Sequence, residues 1–573
     1  MMYKEKYQEW LQSPDFDQKT KAELLALTDE KEIEDRFYRE LSFGTAGMRG
    51  VLGAGRNRMN LYNVRRASKG VALYLQKDPA LAARGVVIAY DSRRNSELFA
   101  KQTALTLCAN GVKAMLFDAL RPVPVLSYAL RHLNAAAGIV ITASHNPPQY
   151  NGYKLYAEDG AQIGPEIANE VTAQIQKLSY GECLPMNEEE ALQKGLLQII
   201  GAKEVDNDYI AMLHTLVVNK SVLQKEGEGF KIVYSPIHGS GNVPVRRILK
   251  EIGIQNVAVV KEQEMPDPNF STVKVPNPEE ADTFTMAVAL AKEIGADCAF
   301  ATDPDCDRLG VAIKDKDGKF VLLNGNQIAC IMLYYILSTK KEQGTLPCNG
   351  AIVKSIVSTE LARKIADSFD VDTFETLTGF KYIGEKIQQF EDSGSHQFVF
   401  GFEESYGYLS GTQVRDKDAV NASMLIAEAA CAYKAKGLGL YDALQEIYAK
   451  YGYYKDSVIS ITLPGKDGSE KMAALMATLH SSFPTEIAGL KVLAVRDYLS
   501  GNRTELASGA VKTMGLPESD VLYYELEKGN WLCIRPSGTE PKIKVYLNAN
   551  ESNEAKADAL IAKLAEASKE LLS

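Results

Sequence analysis

The sequence has no apolar run long enough to cross a bilayer and no export signal at its start. Its longest apolar stretches, Cys330–Leu337 and the segment that ends at Ile141, are far shorter than the roughly 20 residues of a transmembrane helix. The segment Met1–Trp10 is charged and lacks the apolar core of a secretory signal. We therefore expect a soluble protein that is not exported and has no membrane partner.

The sequence also lacks paired cysteines and an excess of positive charge. None of its eight cysteines belongs to a C-x-x-C pair or to a spacing typical of zinc ligands. They are predicted to be reduced core residues of a cytoplasmic protein. The formal net charge is −10, so an anionic ligand needs a local basic cluster that acts against the overall field. Nucleic acid is therefore not expected as a partner.

The length and composition are those of a large globular protein. Of the 573 residues, 46% are hydrophobic and 24% charged, which excludes a disordered, collagen-like or coiled-coil chain. The length suggests three or four domains. No fixed-period repeat is present, so similar units would be diverged domains rather than a solenoid.

Predicted strands and helices alternate along most of the chain. The strand Val86–Tyr90, the helix Asn95–Ala109 and the strand Ala114–Phe117 set this pattern, which recurs twice before about Tyr454. Beyond that point strands dominate, and a final helix carries apolar residues on one face: Leu560, Ile561, Leu564 and Leu571. The sequence thus predicts α/β domains followed by a distinct α+β domain.

The segment Thr-Ala-Ser-His-Asn-Pro-Pro, residues 142–148, follows the apolar strand Gly138–Ile141. Strand ends are where open α/β sheets place ligands, and the two prolines prevent the loop from continuing as a helix. Ser144 is thus presented at a rigid turn beside His145, which suits a nucleophile or phosphoacceptor. An acyl-transfer serine is disfavoured because the G-x-S-x-G elbow is absent. An ordinary proline-containing turn remains the alternative.

The segment Asp-Pro-Asp-Cys-Asp-Arg, residues 303–308, lies between the strand Cys298–Ala301 and the apolar run Leu309–Ile313. Carboxylates at alternate positions cannot share a helix face, so they belong to a loop. An EF-hand is excluded because its glycine and terminal glutamate positions hold Arg308 and Lys314. The loop predicts an all-oxygen site of the kind that binds Mg²⁺ together with a phosphate oxygen. A solvated acidic turn is the alternative.

Two further loops carry ligand-binding side chains. Gly-Phe-Glu-Glu-Ser-Tyr-Gly, residues 401–407, offers carboxylates and a hydroxyl that can accept from sugar hydroxyls, although an acidic turn is equally compatible. Arg-Pro-Ser-Gly-Thr, residues 535–539, combines a guanidinium, two hydroxyls and exposed backbone, which suits a phosphate monoester. A basic hairpin turn is its alternative.

Together the four segments provide a serine acceptor, a divalent-metal site, a sugar site and a separate phosphate site. A phosphate site distinct from the metal-bound serine implies that the substrate's own phosphate is held away from the reacting group. A Walker A loop and an intact G-x-G-x-x-G are both absent, which argues against a P-loop kinase and a nicotinamide enzyme. The combination indicates phosphoryl transfer between protein and sugar phosphate.

In this order and at these spacings the four motifs resemble those of the α-D-phosphohexomutase superfamily of phosphoglucomutases and phosphomannomutases, over essentially the whole chain. The resemblance implies an α/β protein with four domains around a central cleft. Three domains would have related mixed α/β cores, and the C-terminal domain would be α+β. We place them at residues 1–205, 206–322, 323–453 and 454–573, carrying in turn the phosphoserine, metal, sugar and phosphate loops.

The resemblance also implies roles for individual residues. Ser144 would carry the phosphoryl group and share a metal ion with the aspartates of its loop: Asp303, Asp305 and Asp307. Arg308 would contact phosphoryl oxygens. Sugar and phosphate contacts are implied for Glu403, Ser405, Arg535, Ser537, Gly538 and Thr539.

Weaker segments agree with the family pattern. Residues 44–49 look like its early G-T-S-G-x-R, which implies that Thr45 and Arg49 lie near the serine, and residues 151–154 resemble its N-G-x-K, ending at Lys154. Thr378, Gly379 and Lys381 look like the loop that reads sugar orientation. Residues 415–418 resemble a phosphoglucomutase segment with an active-site lysine, here Lys417.

The chain departs from the family pattern at two positions. Ala46 replaces the usual serine, and Gly407 stands where phosphomannomutase-type members carry a histidine two positions after the sugar-loop serine. Proton transfer is therefore expected to use another group, with Lys417, Lys154 and His145 as candidates. The sugar loop is closer to that of glucose-preferring members, and the length suggests the phosphoglucomutase-2-like branch.

The implied reaction interconverts α-D-glucose 1-phosphate and glucose 6-phosphate through a phosphoserine and glucose 1,6-bisphosphate, with Mg²⁺ as cofactor and the bisphosphate as activator. Mannose or pentose phosphates remain open as substrates. An Mg²⁺ phosphatase with Asp303 as nucleophile is disfavoured because Asp307 stands where such enzymes carry threonine or valine. A non-catalytic sugar-phosphate sensor is the third alternative. The sequence makes no prediction of the oligomeric state.

Overall fold

The computed structural model describes residues 2–44, 47–462, 466–536 and 542–572. The first part of the chain contains α1 (Met2–Gln12), α2 (Gln18–Leu25), α3 (Glu30–Phe37), β1 (Met48–Val51), α4 (Leu61–Leu75), α5 (Pro79–Arg84), β2 (Val86–Tyr90), α6 (Ser96–Ala109), β3 (Ala114–Phe117), α7 (Val123–His132), β4 (Ala137–Ile141), β5 (Tyr150–Ala157), α8 (Pro165–Ile175), α9 (Glu188–Gln193), β6 (Leu197–Ile200) and a π-helix (Ala202–Asp206). Next come α10 (Asn207–Thr215), α11 (Lys220–Glu226), β7 (Lys231–Ser235), α12 (Asn242–Glu251), β8 (Asn256–Val259), α13 (Lys261–Glu264), α14 (Thr285–Ile294), β9 (Cys298–Thr302), β10 (Leu309–Lys314) and β11 (Phe320–Leu322).

The second half continues with α15 (Gly325–Glu342), β12 (Gly350–Ser355), α16 (Leu361–Asp367), β13 (Asp372–Thr376), α17 (Phe380–Ser393), β14 (Gln397–Glu403), β15 (Gly407–Leu409), α18 (Ala419–Lys434) and α19 (Leu440–Tyr451). The C-terminal part consists of β16 (Tyr453–Thr462), α20 (Lys466–Ser481), β17 (Glu486–Ile487), β18 (Leu490–Asp497), β19 (Asn502–Glu505), β20 (Val511–Thr513), β21 (Leu522–Leu526), β22 (Trp531–Pro536), β23 (Lys542–Glu551) and α21 (Glu554–Leu571). Short 3₁₀ turns occupy Gly227–Gly229, Ala281–Phe284 and Glu527–Gly529.

Many of these helices begin at an Asp or Asn whose side chain accepts a hydrogen bond from a first-turn amide. These N-caps are Asp17, Asp29, Asn60, Asp78, Asn187, Asn219, Asp418 and Asn553. Each satisfies a backbone N–H that has no partner within the helix and contributes about 1 kcal/mol. Local sequence thus fixes where these helices start.

The chain folds into two compact units. Unit 1 comprises Met1–Gly325 and Phe380–Gly439, and unit 2 comprises Asn326–Gly379 and Leu440–Ser573. The α/β alternation and the separate α+β C-terminal region predicted from the sequence are confirmed. No helix in the part of the chain that the structure describes is both long and apolar enough to cross a membrane.

The first sheet of unit 1 has the strand order β1-β5-β4-β2-β3-β6. Strand β2 runs parallel to both β3 and β4, and every residue of β2 and β4 is buried, as expected for strands covered by helices on both faces. Strand β5 pairs antiparallel with β4. Because β2 and β4 are parallel neighbours, the loops that follow Tyr90 and Ile141 leave the sheet at the same edge.

The second sheet of unit 1 has the order β11-β10-β9-β7-β8, with β9 and β10 antiparallel. The loop between β9 and β10 is residues 303–308. The antiparallel pair β14–β15 also belongs to unit 1 and approaches this loop, since Leu309 N donates to Tyr406 O at 3.0 Å.

Unit 2 contains the parallel pair β12–β13 and a largely antiparallel sheet of order β16-β23-β22-β21-β18-β19-β20, with β17 beside β18. The sheet's core includes Leu560 and Leu564 of α21, and Ile561 and Leu571 pack against it, which confirms the predicted apolar face. The buried carboxylate of Glu375 on β13 accepts from Lys354 Nζ at 3.0 Å and from Arg496 Nη1 at 2.8 Å. Although burial opposes ionisation, Lys354 and Arg496 hold the pKa of Glu375 below its usual range.

All eight cysteines are free, and seven of them are buried. The prediction of reduced cysteines is therefore consistent with the fold. The prediction that all are core residues is wrong for Cys348, which is exposed. It lies between α15 and β12, in a connection whose position the apolar pattern alone did not fix.

Asp456 on β16 provides a pH-dependent term in the stability of unit 2. Burial raises the pKa of Asp456 from 3.8 to about 6, against a hydrogen bond from Asn548 Nδ2 at 2.6 Å. The folded state therefore favours the protonated acid, so this group's contribution is full below 3.8 and is lost as the pH rises through 6. We expect Asp456→Asn to become more stable relative to the unmodified protein, by up to about 3 kcal/mol, on going from acidic to alkaline pH.

Urea unfolding of the two proteins on either side of this pKa checks the expectation. The exposed Asp367→Asn on α16 is the matched control and should show a pH-independent difference. A stability difference for Asp456→Asn that does not change with pH would contradict the assignment.

Candidate functional site

Ser144 lies directly after β4, in a backbone conformation that presents its hydroxyl to the metal loop. Its φ is 51°, in the left-handed region that non-glycine residues rarely adopt. Ser144 N donates to Thr142 Oγ1 at 2.8 Å, and Thr142 Oγ1 donates to Asp305 Oδ2 at 3.3 Å. Ser144 Oγ donates to Asp303 Oδ2 at 3.0 Å and lies 3.1 Å from His145 Nδ1. The structure thus brings together two segments that are 159 residues apart in sequence.

Arg93 holds this loop in place and was missed by the sequence analysis. Its guanidinium, fully buried, donates to four backbone carbonyls of the loop, those of Ser144, Asn146, Pro147 and Tyr150. Arg93 Nε lies 3.3 Å from Asp91 Oδ2. Asp91 and Arg93 follow β2, whose neighbour β4 ends at the serine loop. Charged residues directly after a fully buried strand were the signal that could have identified them.

Removing the Arg93 side chain is expected to lower kcat by about 10²-fold, because a serine misplaced by about 1 Å reacts that much more slowly. Arg93→Lys should lose less activity, since one ammonium can satisfy some of the four carbonyls. The exposed neighbour Arg94, whose guanidinium donates to Asn269 Oδ1, supplies the control Arg94→Ala. Steady-state kinetics of the three variants checks this, and equal activity in Arg93→Ala and Arg94→Ala would contradict it.

The three aspartates of the metal loop converge, as the sequence predicted for a cation site. One carboxylate oxygen from each of Asp303, Asp305 and Asp307 lies within 4.8 Å of the other two, and all three residues are buried. Asp303 Oδ1 accepts from the backbone amides of Asp307 and Arg308 at 3.1 and 3.0 Å. Asp305 Oδ1 and Asp307 Oδ1 are buried without a hydrogen-bond partner among the described residues. Buried carboxylate oxygens in this state fit a hard divalent cation.

The charges around the triad keep its carboxylates in different states. Burial, followed by the charges of Asp305 and Asp307, raises the pKa of Asp303 well above its usual range. Burial also disfavours ionisation of Asp305, but Lys154 outweighs it and holds the pKa of Asp305 below its usual range. Lys154 Nζ lies 2.9 Å from Asp305 Oδ2. Such separation of pKa values among neighbouring acids is typical of functional sites.

Cationic side chains surround the carboxylates. Lys417 Nζ lies 3.2 Å from Asp307 Oδ2 and 3.1 Å from Asp416 Oδ1; burial disfavours its charge, but these two acids raise the pKa of Lys417. The Arg308 guanidinium pairs with Glu279. Arg49 on β1 is exposed and donates from Nη1 to Asn146 Oδ1 at 2.9 Å. These groups form the local basic cluster that an acidic protein needs around an anionic ligand.

His145 is the uncharged member of the site. Burial, followed by the charges of Arg308 and Arg49, lowers the pKa of His145 well below its usual value. At neutral pH its imidazole is therefore neutral, and one ring nitrogen is able to accept a proton.

The sugar loop connects β14 and β15. Glu403 is buried at the end of β14, and Ser405 is half-buried in the turn. A Cβ at Gly407 would lie 2.1 Å from Lys417 Cδ, so the glycine leaves room for the lysine side chain. The absence of a histidine at this position thus has a physical reason, because Lys417 occupies the adjacent space.

The remaining predicted residues lie apart from this cluster or outside the description. Lys381 is in the first turn of α17 in unit 1, with Nζ 4.7 Å from the centre of the Tyr382 ring, and burial lowers the pKa of Lys381. Thr378 and Gly379 follow β13 in unit 2, and Arg535 lies on β22 opposite Lys544. Four positions lie outside the described residues: Thr45, Ser537, Gly538 and Thr539. The roles of all these residues stay predictions.

Comparison with known proteins agrees along the chain. Profiles described as phosphoglucomutase/phosphomannomutase match as alpha/beta/alpha domain I at residues 40–182, domain II at 207–318, domain III at 324–451 and the C-terminal domain at 485–567. A phosphoglucomutase of Staphylococcus haemolyticus is 38% identical over 523 residues, which cover 91% of this chain and 92% of that protein.

Solved structures show the same fold. A putative phosphomannomutase from Thermus thermophilus superposes with a TM-score of 0.69 at 23% identity, covering 93% of this chain and 99% of that one. The phosphoglucomutase pp63/parafusin from Paramecium, in an open form, gives a TM-score of 0.69 at 19% identity, covering 93% and 95%. The chain belongs to the phosphoglucomutase/phosphomannomutase family of the α-D-phosphohexomutase superfamily.

Proposed function

We propose that this protein is a phosphoglucomutase, which interconverts α-D-glucose 1-phosphate and glucose 6-phosphate through a phosphorylated Ser144 and glucose 1,6-bisphosphate. The observation that carries the proposal is the hydrogen bond of 3.0 Å from Ser144 Oγ to Asp303 Oδ2, at the edge of a buried aspartate cluster. The relative at 38% identity that bears this name supports the choice of sugar.

The metal loop suits Mg²⁺. Asp303, Asp305 and Asp307 would hold it, together with an oxygen on Ser144, and the unpartnered oxygens of Asp305 and Asp307 support this assignment. Bound there, the ion supplies charge neutralisation for the phosphoryl group in transfer.

The surrounding side chains have complementary tasks in the proposed reaction. In the forward step the bond between phosphorus and Ser144 Oγ breaks, a bond to the sugar hydroxyl forms, and the hydroxyl proton leaves to a base. His145, held neutral, suits the base. Lys417, held as an ammonium ion, suits charge stabilisation and proton donation in the return step. Arg308, Arg49 and Lys154 supply positive charge for phosphoryl oxygens.

Contacts to the substrate are proposed for the remaining predicted residues. Glu403 and Ser405 would accept from sugar hydroxyls, and Arg535 with its loop would hold the phosphate that is not reacting. The contributing loop residues are Ser537, Gly538 and Thr539, and those that read sugar orientation are Thr45, Thr378, Gly379 and Lys381. Glucose 1,6-bisphosphate would act as activator by restoring the phosphoserine. The division at residues 205, 322 and 453 and the phosphoglucomutase-2-like branch are part of the proposal.

A coupled assay of the purified protein tests the proposal. With Mg²⁺ and a trace of glucose 1,6-bisphosphate, glucose 1-phosphate should be converted faster than mannose 1-phosphate or ribose 1-phosphate. A preference for either of the latter sugars would replace the substrate while keeping the chemistry. Release of inorganic phosphate without isomerisation, with an acid-labile acyl phosphate on the protein, would instead indicate an aspartyl phosphatase.

A further inference from the structure

A cavity of about 410 Å³ lies in unit 1 next to the metal loop. We call it the back cavity. Its wall is built from the segment 119–125 before and within α7, the π-helix and α10, the loop before α12 with the first turns of α12, and residues 265–266. Its volume is in the range of sites that enclose small organic molecules, about 300–1,000 Å³.

The rim of the back cavity exposes apolar side chains that have nothing to pack against. Val243 is 72% exposed and Met265 68% exposed, and both line the cavity. Deeper in, the wall includes Val125 and Ile210, which are both buried. Apolar surface that leads from an exposed rim into a preformed concavity is typical of ligand sites rather than of packed interiors.

The polar groups of the back cavity favour an anion. The oxygens of Asp206 both accept from Arg121 Nε at 3.0 Å, so this acid is already neutralised. Arg247 donates only from Nε, to Glu251 Oε1 at 2.7 Å, and its two terminal nitrogens have no acceptor among the described residues. The wall therefore offers a guanidinium with unused donors but no carboxylate free of a cationic partner.

The walls of the cavity are also the supports of the metal loop. Ser240 donates from both N and Oγ to Pro304 O, each at 2.8 Å, and Val123 N donates to Asp305 O at 2.9 Å. A Cβ at Gly239 would lie 2.5 Å from Pro304 Cα. Gly239 and Ser240 line the cavity, so a ligand that displaces them also displaces Pro304, between two of the three aspartates.

We infer that the back cavity binds a small amphipathic anion, with an apolar body between Val125, Ile210 and Met265 and its acidic group on Arg247. Binding there changes the metal affinity of the aspartate triad through Ser240 and Pro304. This site is distinct from the proposed substrate site, since none of the triad aspartates lines the cavity.

Fluorescence titration of the full chain tests the site with two matched probes. 1-Anilinonaphthalene-8-sulfonate should bind saturably with one site per chain, and N-phenyl-1-naphthylamine, which lacks the sulfonate, should bind the same site. Arg247→Ala should weaken the sulfonate by about 10-fold, the loss of one charge-assisted hydrogen bond, and leave the neutral probe unchanged. Arg246→Ala is the control, because Arg246 pairs with Glu264 on the same helix and does not line the cavity.

A plug variant and a metal titration complete the test. Ala119→Trp, at an exposed position of the wall, should abolish binding of both probes. Saturating sulfonate should change the dissociation constant of Mn²⁺, followed by the resonance signal of the free ion, by about fivefold. Equal sulfonate affinity in Arg247→Ala and Arg246→Ala, or binding that survives the plug, would overturn the site. An unchanged Mn²⁺ affinity would overturn the coupling. Neither readout requires turnover, so failure here is distinguishable from failure of the proposed function.

Discussion

Ser144→Ala is expected to abolish interconversion of glucose 1-phosphate and glucose 6-phosphate, with kcat/KM lower by on the order of 10⁴-fold or more. Ser144 Oγ donates to Asp303 Oδ2 at 3.0 Å and lies beside the neutral His145. The nearby hydroxyl of Thr142 cannot substitute, because it is buried between Ser144 N and Asp305 Oδ2. Without a phosphoacceptor the substrate would still bind, so the loss should appear in kcat rather than KM.

Labelling distinguishes loss of the acceptor from misfolding. Unmodified protein incubated with radiolabelled glucose 1,6-bisphosphate should acquire an acid-stable label, and Ser144→Ala should acquire none. The control is Ser68→Ala, a buried serine of α4 whose Oγ donates to Val64 O at 2.8 Å; it should retain both label and activity. Turnover by Ser144→Ala comparable with that of Ser68→Ala would refute the assignment.

The hydrophobic pattern was sufficient to locate the elements that carry the site. The strands Val86–Tyr90 and Ala114–Phe117 lie where they were predicted, and the helix after Asn95 begins one residue later than predicted, at Ser96. Fully buried parallel strands are continuous apolar runs, which makes them readable from sequence. Strand ends in turn indicated which loops carry ligands.

The support of the site was not predictable in the same way. Arg93 matters because the serine loop adopts a conformation that turns four carbonyls toward one guanidinium. Neither the residue type nor its spacing indicates that geometry. The charge states of His145 and Lys417 likewise depend on burial and on partners from distant segments. The sequence could therefore name the candidates for proton transfer but not order them.

Asp305→Asn is expected to lower kcat/KM by on the order of 10³-fold and to raise the Mg²⁺ concentration needed for half-maximal activity at least about 10-fold. The amide removes one negative charge from the triad and leaves Lys154, at 2.9 Å from Asp305 Oδ2, without its closest carboxylate. Because Lys154 also lies 3.9 Å from Asp307 Oδ2, it would compete more strongly for that second ligand. The loss should therefore exceed that of one ligand alone.

Calorimetric titration with Mg²⁺ separates this variant from Ser144→Ala. Asp305→Asn should lose the metal-binding heat, whereas Ser144→Ala should keep most of it because all three carboxylates remain. Asp315→Asn is the control: Asp315 follows β10 in the same unit and accepts from the amides of Asp317 and Lys319, away from the triad. If Asp305→Asn bound Mg²⁺ as tightly as Asp315→Asn does, the aspartate loop would be a structural charge cluster held by Lys154 and Lys417. The phosphoryl charge would then have to be neutralised by the cationic side chains alone.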